Sequence, residues 1–97
     1  AQVPEYAAHN AHIFWIKTKS ENERTRLMAH LSQRNIQSLS HYVPLHNSSF
    51  GQKIGELRGA DDHTSLESGK ILRLPIYLSL EDSEINRIVQ SIIEFYQ

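Results

Sequence analysis

The chain contains no cysteine, one methionine and one tryptophan in 97 residues. Without a thiol there can be no disulfide framework, no thiolate zinc site and no cysteine nucleophile. That absence also fits a cytoplasmic setting. Charge of one sign is lacking too: ten basic residues stand against eleven acidic, a net charge of −1. No stretch gathers lysine or arginine as a phosphate-tracking surface requires, so nucleic acid is not an expected partner. Nor is a membrane. The longest purely aliphatic and aromatic run, Ile13 to Ile16, is far short of the ~20 residues needed to cross a bilayer, and no basic-then-apolar leader precedes it.

What remains is an ordinary globular composition, with 39% hydrophobic and 22% charged residues. A chain of this size buries somewhat over ~60% of the surface it exposes when unfolded. One core is expected, with little stability to spare. The opening Ala1-Gln2-Val3 carries no initiator methionine, which suits a piece of a longer chain.

Residues 1–11 have no period of either kind and read as a connector entering a single domain, 1–97. His12 to Thr18 is rich in β-branched and aromatic residues and suits a strand; apolar side chains on both of its faces predict an interior strand covered on each side. Ser20 and Glu23 form a capping-box pattern ahead of a helix over 21–34, with Leu27, Met28 and Leu31 as its apolar stripe and Asn35 as a left-handed stop. Ile36 to Val43 reads as a second strand closed by Pro44, and Leu45 to His63, with three glycines, as a long loop. Thr64 and Glu67 repeat the capping pattern for a short helix to Leu72, and Arg73 to Leu78 suits an edge strand. Ser79 is placed to cap a last helix whose apolar positions are Ile85, Ile88, Val89, Ile92 and Tyr96. The order implies an α+β fold: a small sheet with helices packed against it.

Six histidines invite a metal reading, but no spacing among them completes a zinc triad, and no metal is expected. Asp61-Asp62 reads as a pair of solvated turn residues rather than an acid/base pair. The glycines at 51, 55 and 59 match neither a phosphate loop nor a dinucleotide fingerprint. The segment His41-Tyr42-Val43-Pro44-Leu45-His46 sets two imidazoles and a phenol at a strand end that enters the long loop. Such strand ends are where scaffolds display recognition groups. Its alternative is that Tyr42 and Leu45 pack in the core while both histidines bond locally. The residues alone name no reaction.

Three segments in order, His9 to Lys17 (HNAHIFWIK), HYVPLH at 41–46 and LRLPIYLSL at 72–80 followed by Glu84 and the isoleucine-rich helix, resemble the C-terminal end of the DegT/DnrJ/EryC1/StrS sugar aminotransferases. Within the family they look closest to enzymes that aminate the 4-keto carbon of dTDP-4-keto-6-deoxy-glucose to make dTDP-4-amino-4,6-dideoxy-galactose for bacterial lipopolysaccharide and other surface polysaccharide. The resemblance implies the small C-terminal domain of a pyridoxal phosphate (PLP) fold-type I aminotransferase, with glutamate as donor. The intact parent is expected to be a cytoplasmic homodimer holding PLP and a dTDP-sugar. The family's Schiff-base lysine belongs to an S-x-H-x-x-K motif that no segment here matches. Lys17, Lys19, Lys53 and Lys70 lack that context, so no catalytic residue and no bound cofactor are expected in these 97 residues. The missing partner is then the N-terminal PLP-binding domain. The resemblance also sets HYVPLH near the active-site mouth, making His41, Tyr42 and His46 the expected substrate contacts and 47–63 a flexible cover. A different class of reading is a free-standing ferredoxin-like module that binds a small effector.

Overall fold

A computed structural model describes residues 3–97; Ala1 and Gln2, the start of the expected connector, lie outside the described residues. Ser20 begins the first helix, its hydroxyl accepting the Glu23 N–H at 3.1 Å. This satisfies one of the donors that a helix start leaves open. The reciprocal half of the expected box is displaced by one residue, since the Glu23 carboxylate accepts from Lys19 N–H at 3.4 Å. The helix, α1, runs Glu21–Ser32, two residues short of the expectation. Asn35 then takes a φ of 55°, and the Ile36 N–H turns back to the Leu31 carbonyl at 3.0 Å, a left-handed stop.

The sheet is two antiparallel strands, β1 (Phe14–Lys17) and β2 (Ile71–Leu74), in the register Phe14↔Leu74 through Lys17↔Ile71. Alternation puts Ile16 and Leu72 together on the face covered by helices, and Trp15 and Arg73 on the other. Leu72, Leu27, Leu31, Ile36 and Ile88 form the buried core, with Ile16, Met28, Leu74, Ile92 and Phe95 packed around it.

Leu72 belongs to β2 and not to the preceding helix, because the core needs its side chain. The helix α3 stops at Lys70 (Thr64–Lys70), and the strand comes two residues earlier than the sequence suggests and ends before Pro75. No side chain at Thr64 caps α3; the residue before it is His63, and the Asp61 carboxylate accepts the Ser65 N–H at 3.1 Å instead.

The strand expected over 36–43 is reduced to one bridge, Leu39↔Arg73. The two residues exchange both backbone bonds, at 3.1 and 2.8 Å. The next such pair would be Gln37 with Pro75, and proline has no N–H to give. A ferredoxin-like sheet has four strands, so that topology is not the one adopted.

The last helix, α4 (Asp82–Tyr96), starts at Glu81 and not at Ser79. The Glu84 carboxylate accepts the Glu81 N–H at 3.1 Å and the Tyr77 hydroxyl at 3.0 Å. Acidic groups there oppose the positive end of the helix dipole. Its inward side is Ile88, Ser91, Ile92 and Phe95, whereas Ile85, Val89 and Tyr96 from the expected stripe are 41%, 45% and 53% exposed. The first strand is likewise not covered on both faces: Phe14 and Trp15 are 57% and 40% exposed. Among the described residues no helix is long and apolar enough to cross a membrane. The long loop is not wholly irregular, since a 3₁₀ turn (Leu45–Asn47) and a four-residue helix α2 (Gly51–Ile54) lie within it.

Candidate functional site

Pro44 sets the start of the 3₁₀ turn with φ −52°, the value its ring imposes. The turn divides the HYVPLH segment. On its near side, His41 is anchored to the sheet: an Arg73 N–H lies 3.0 Å from its Nδ1. Arginine only donates, so Nδ1 accepts and the ring proton sits on Nε2. The Tyr42 ring leans on His41, 4.7 Å between centroids and tilted by 44°. Tyr42 and Leu45 are 70% and 84% exposed, so neither packs in the core. His41, Tyr42, Pro44, Arg24, Asn47 and Ser65 help to line a cavity of about 240 Å³.

On the far side of the turn, His46 joins a separate opening of about 250 Å³ with Leu45, Gly51 and Leu57. Its Nε2 lies 2.7 Å from Asp61 Oδ2 and 3.3 Å from Ser65 Oγ. Ser65 Oγ also donates to Asp61 and accepts from the Asn47 amide at 2.6 Å. The three expected contacts therefore do not converge. His41 and Tyr42 share one cavity, His46 belongs to the next, and Asn47 with Ser65 stands between them.

The Ser65, His46, Asp61 trio invites comparison with a nucleophile relay, and its geometry rejects it. A relay needs one ring nitrogen for the hydroxyl and the other for the carboxylate. Here both partners meet Nε2. Hydrogen bonds from Ser65 Oγ and N–H, and then from His46, hold the Asp61 carboxyl down at about 2. The cluster fastens the loop to the start of α3, a role the sequence reading of Asp61 as a solvated turn residue missed.

The loop is also shaped by Gly51, where a Cβ would run into the Leu45 carbonyl. Only glycine lets α2 cross so close to the turn. Arg73 is the other residue that sequence reasoning passed over as a plain strand position. A charged residue between Leu72 and Leu74 in an alternating strand was the available signal that it faces away from the core; that it meets His41 was not.

Among the described residues no three histidine, aspartate or glutamate side chains come together as metal ligands do. The family model for the DegT/DnrJ/EryC1/StrS aminotransferase family matches residues 1–93. The chain belongs to this family.

The cofactor that the resemblance implies, PLP, needs a lysine amine, an acid beside its ring nitrogen and a cup for its phosphate. The residues described here do not fit it. Lys70 and Lys17 are both tied to Glu67, the former at 2.8 Å. Their bonds, Lys17 first, hold the Glu67 carboxyl at about 2. Lys19 and Lys53 lie exposed on the surface, and no lysine lines either opening around the HYVPLH turn.

Proposed function

We propose that this chain is the C-terminal small domain of a PLP-dependent sugar-nucleotide aminotransferase, contributing substrate recognition and leaving the chemistry to a separate N-terminal PLP-binding domain. The observation that carries the reading is the family match over residues 1–93 in a chain whose four lysines do not fit a Schiff base. The parent would be a cytoplasmic homodimer that takes nitrogen from glutamate and gives it to a dTDP-4-keto-6-deoxyhexose for lipopolysaccharide synthesis.

In this reading His41 offers its Nε2–H, and Tyr42 its exposed ring and hydroxyl, to the sugar-nucleotide, while Arg73 holds the imidazole in that orientation. His46 acts one step removed, by keeping the 47–63 loop against α3. The exposed Trp15 of β1, on the sheet face away from the helices, is the natural surface for the PLP domain to cover.

The test uses the intact gene product with its PLP domain. Tyr42→Ala and His41→Ala are expected to raise KM for the keto-sugar nucleotide by about tenfold, the loss of one or two net hydrogen bonds. KM for glutamate and the PLP content should stay unchanged. Unchanged sugar KM in both variants would remove these residues from recognition. A native product with no lysine-bearing domain would end the aminotransferase reading.

A further inference from the structure

The interrupted ladder leaves a space. Beyond the Leu39↔Arg73 bridge the two chain segments splay apart, and the gap, roofed by the first turns of α4, is a cavity of about 420 Å³. That lies within the roughly 300–1,000 Å³ typical of small-molecule pockets. It lies on the Pro75 side of the bridge, whereas the His41 and Tyr42 cavity lies on the other side, and no role assigned above uses it.

Its walls combine two chemistries. Ile36, Leu39, Pro75 and Ile76 supply an apolar lining and Arg87 supplies charge; Arg73 also borders the space, with its guanidinium bonded to His41. Neither arginine has a carboxylate within ion-pair distance among the described residues. Arg87 is steadied at the rim by one N–H to the Arg34 carbonyl at 3.2 Å, which leaves the rest of its guanidinium free to donate. The one carboxylate in the cavity lining, Glu84, accepts from the Glu81 N–H and the Tyr77 hydroxyl and makes no ion pair with either arginine, although the Arg87 charge helps these bonds to lower its carboxyl pKa. The backbone N–H of Gln37 makes no backbone hydrogen bond among the described residues and is a further unused donor.

We infer that this gap between Asn35–Leu39 and Pro75–Tyr77 binds a small anion with an apolar body, its carboxylate or phosphate on Arg87 and its body against Ile36, Leu39 and Ile76. A guanidinium fork matches either oxyanion, often in two parallel bonds. The apolar walls select against bare inorganic ions, which bring nothing to cover them. The inference does not depend on the aminotransferase reading.

The experiment is an amide NMR titration of the 97-residue chain with three probes: hexanoate, phenyl phosphate and inorganic phosphate. Saturable shifts are expected at Gln37, Ile76 and Arg87 with an organic probe, and affinity at least tenfold lower for inorganic phosphate. Saturation by hexanoate alone or by phenyl phosphate alone identifies which oxyanion the site takes. Arg87→Gln should weaken binding by about tenfold or more, the loss of a charge-assisted pair, and Arg87→Lys by less. Arg58→Gln, in the loop, should change nothing. Native dispersion in each variant's spectrum separates lost binding from lost folding, and Arg87→Lys serves if Arg87→Gln does not fold. Absence of saturable shifts would overturn the inference. So would shifts spread over all basic residues, or equal weakening by Arg58→Gln.

Discussion

Leu72→Ala tests how much of the fold hangs on one strand residue. Leu72 is fully buried at the centre of the sheet, facing Ile16 across the ladder and the core leucines of α1. Truncation to alanine removes about three carbons, worth ~2.4 kcal/mol at ~0.8 kcal/mol each. The cavity left behind adds to that, for a total of about 2.5–4 kcal/mol. A chain of this length is held by roughly 5–15 kcal/mol, so the variant is expected to lose a large share of its stability. Leu78, six residues on and fully exposed, is the control: Leu78→Ala should stay within about 0.5 kcal/mol of the parent. Urea melts followed by far-UV circular dichroism give both numbers. A loss under about 1 kcal/mol for Leu72→Ala, or equal losses for the two variants, would refute the assignment of Leu72 to the core.

Ser20→Ala removes the bond to the Glu23 N–H and should cost about 0.5–2 kcal/mol in the same melts, whereas Asn22→Ala, with no such bond, should not. The Asp61 and Glu67 carboxyls, both held near 2, are depressed below their ordinary values. Their stabilisation is therefore complete above about pH 4.5 and disappears as pH falls toward 2; carboxyl carbon NMR should find both titrating there, and Asp61→Asn with Glu67→Gln should flatten the acid limb of a stability profile. The Tyr96 hydroxyl is raised to about 12, by burial first and then by its 2.6 Å bond to Glu23. A raised group gives its stability in full below pH 10 and loses it as pH climbs toward 12, so Tyr96→Phe should remove the highest step from a phenolate absorbance titration. Gly51→Ala, whose Cβ meets the Leu45 carbonyl, should displace α2 and with it the His46 resonance in an NMR spectrum, leaving the core leucines unshifted.

The two long helices, the Asn35 stop and the α+β class were legible because each is written locally. Ser20, the Leu27 and Leu31 spacing and the isoleucine-rich stretch each act within a turn or two of chain. The strand boundaries were less so. Whether Leu72 ends a helix or sits in a strand depends on a core assembled from residues 16 to 45 positions away. The inward face of α4 was misread in part because Ser91, small and polar, hides the true stripe. Its side chain is satisfied by the Arg87 carbonyl at 2.8 Å, so it is buried while Ile85 and Val89 are not.

What the sequence by itself determined is therefore what short-range chemistry dictates: the exclusion of thiol chemistry, helix starts and stops, the lack of a Schiff-base motif and, through three ordered segments, membership of the aminotransferase family. What only the tertiary structure decided is which groups meet. The anchoring of His41 by Arg73, the pinning of the loop by His46, Asp61 and Ser65, and the gap opened by Pro75 opposite Gln37 each join residues 15 or more positions apart. Such contacts follow from how the sheet and helices pack, and no local pattern encodes them.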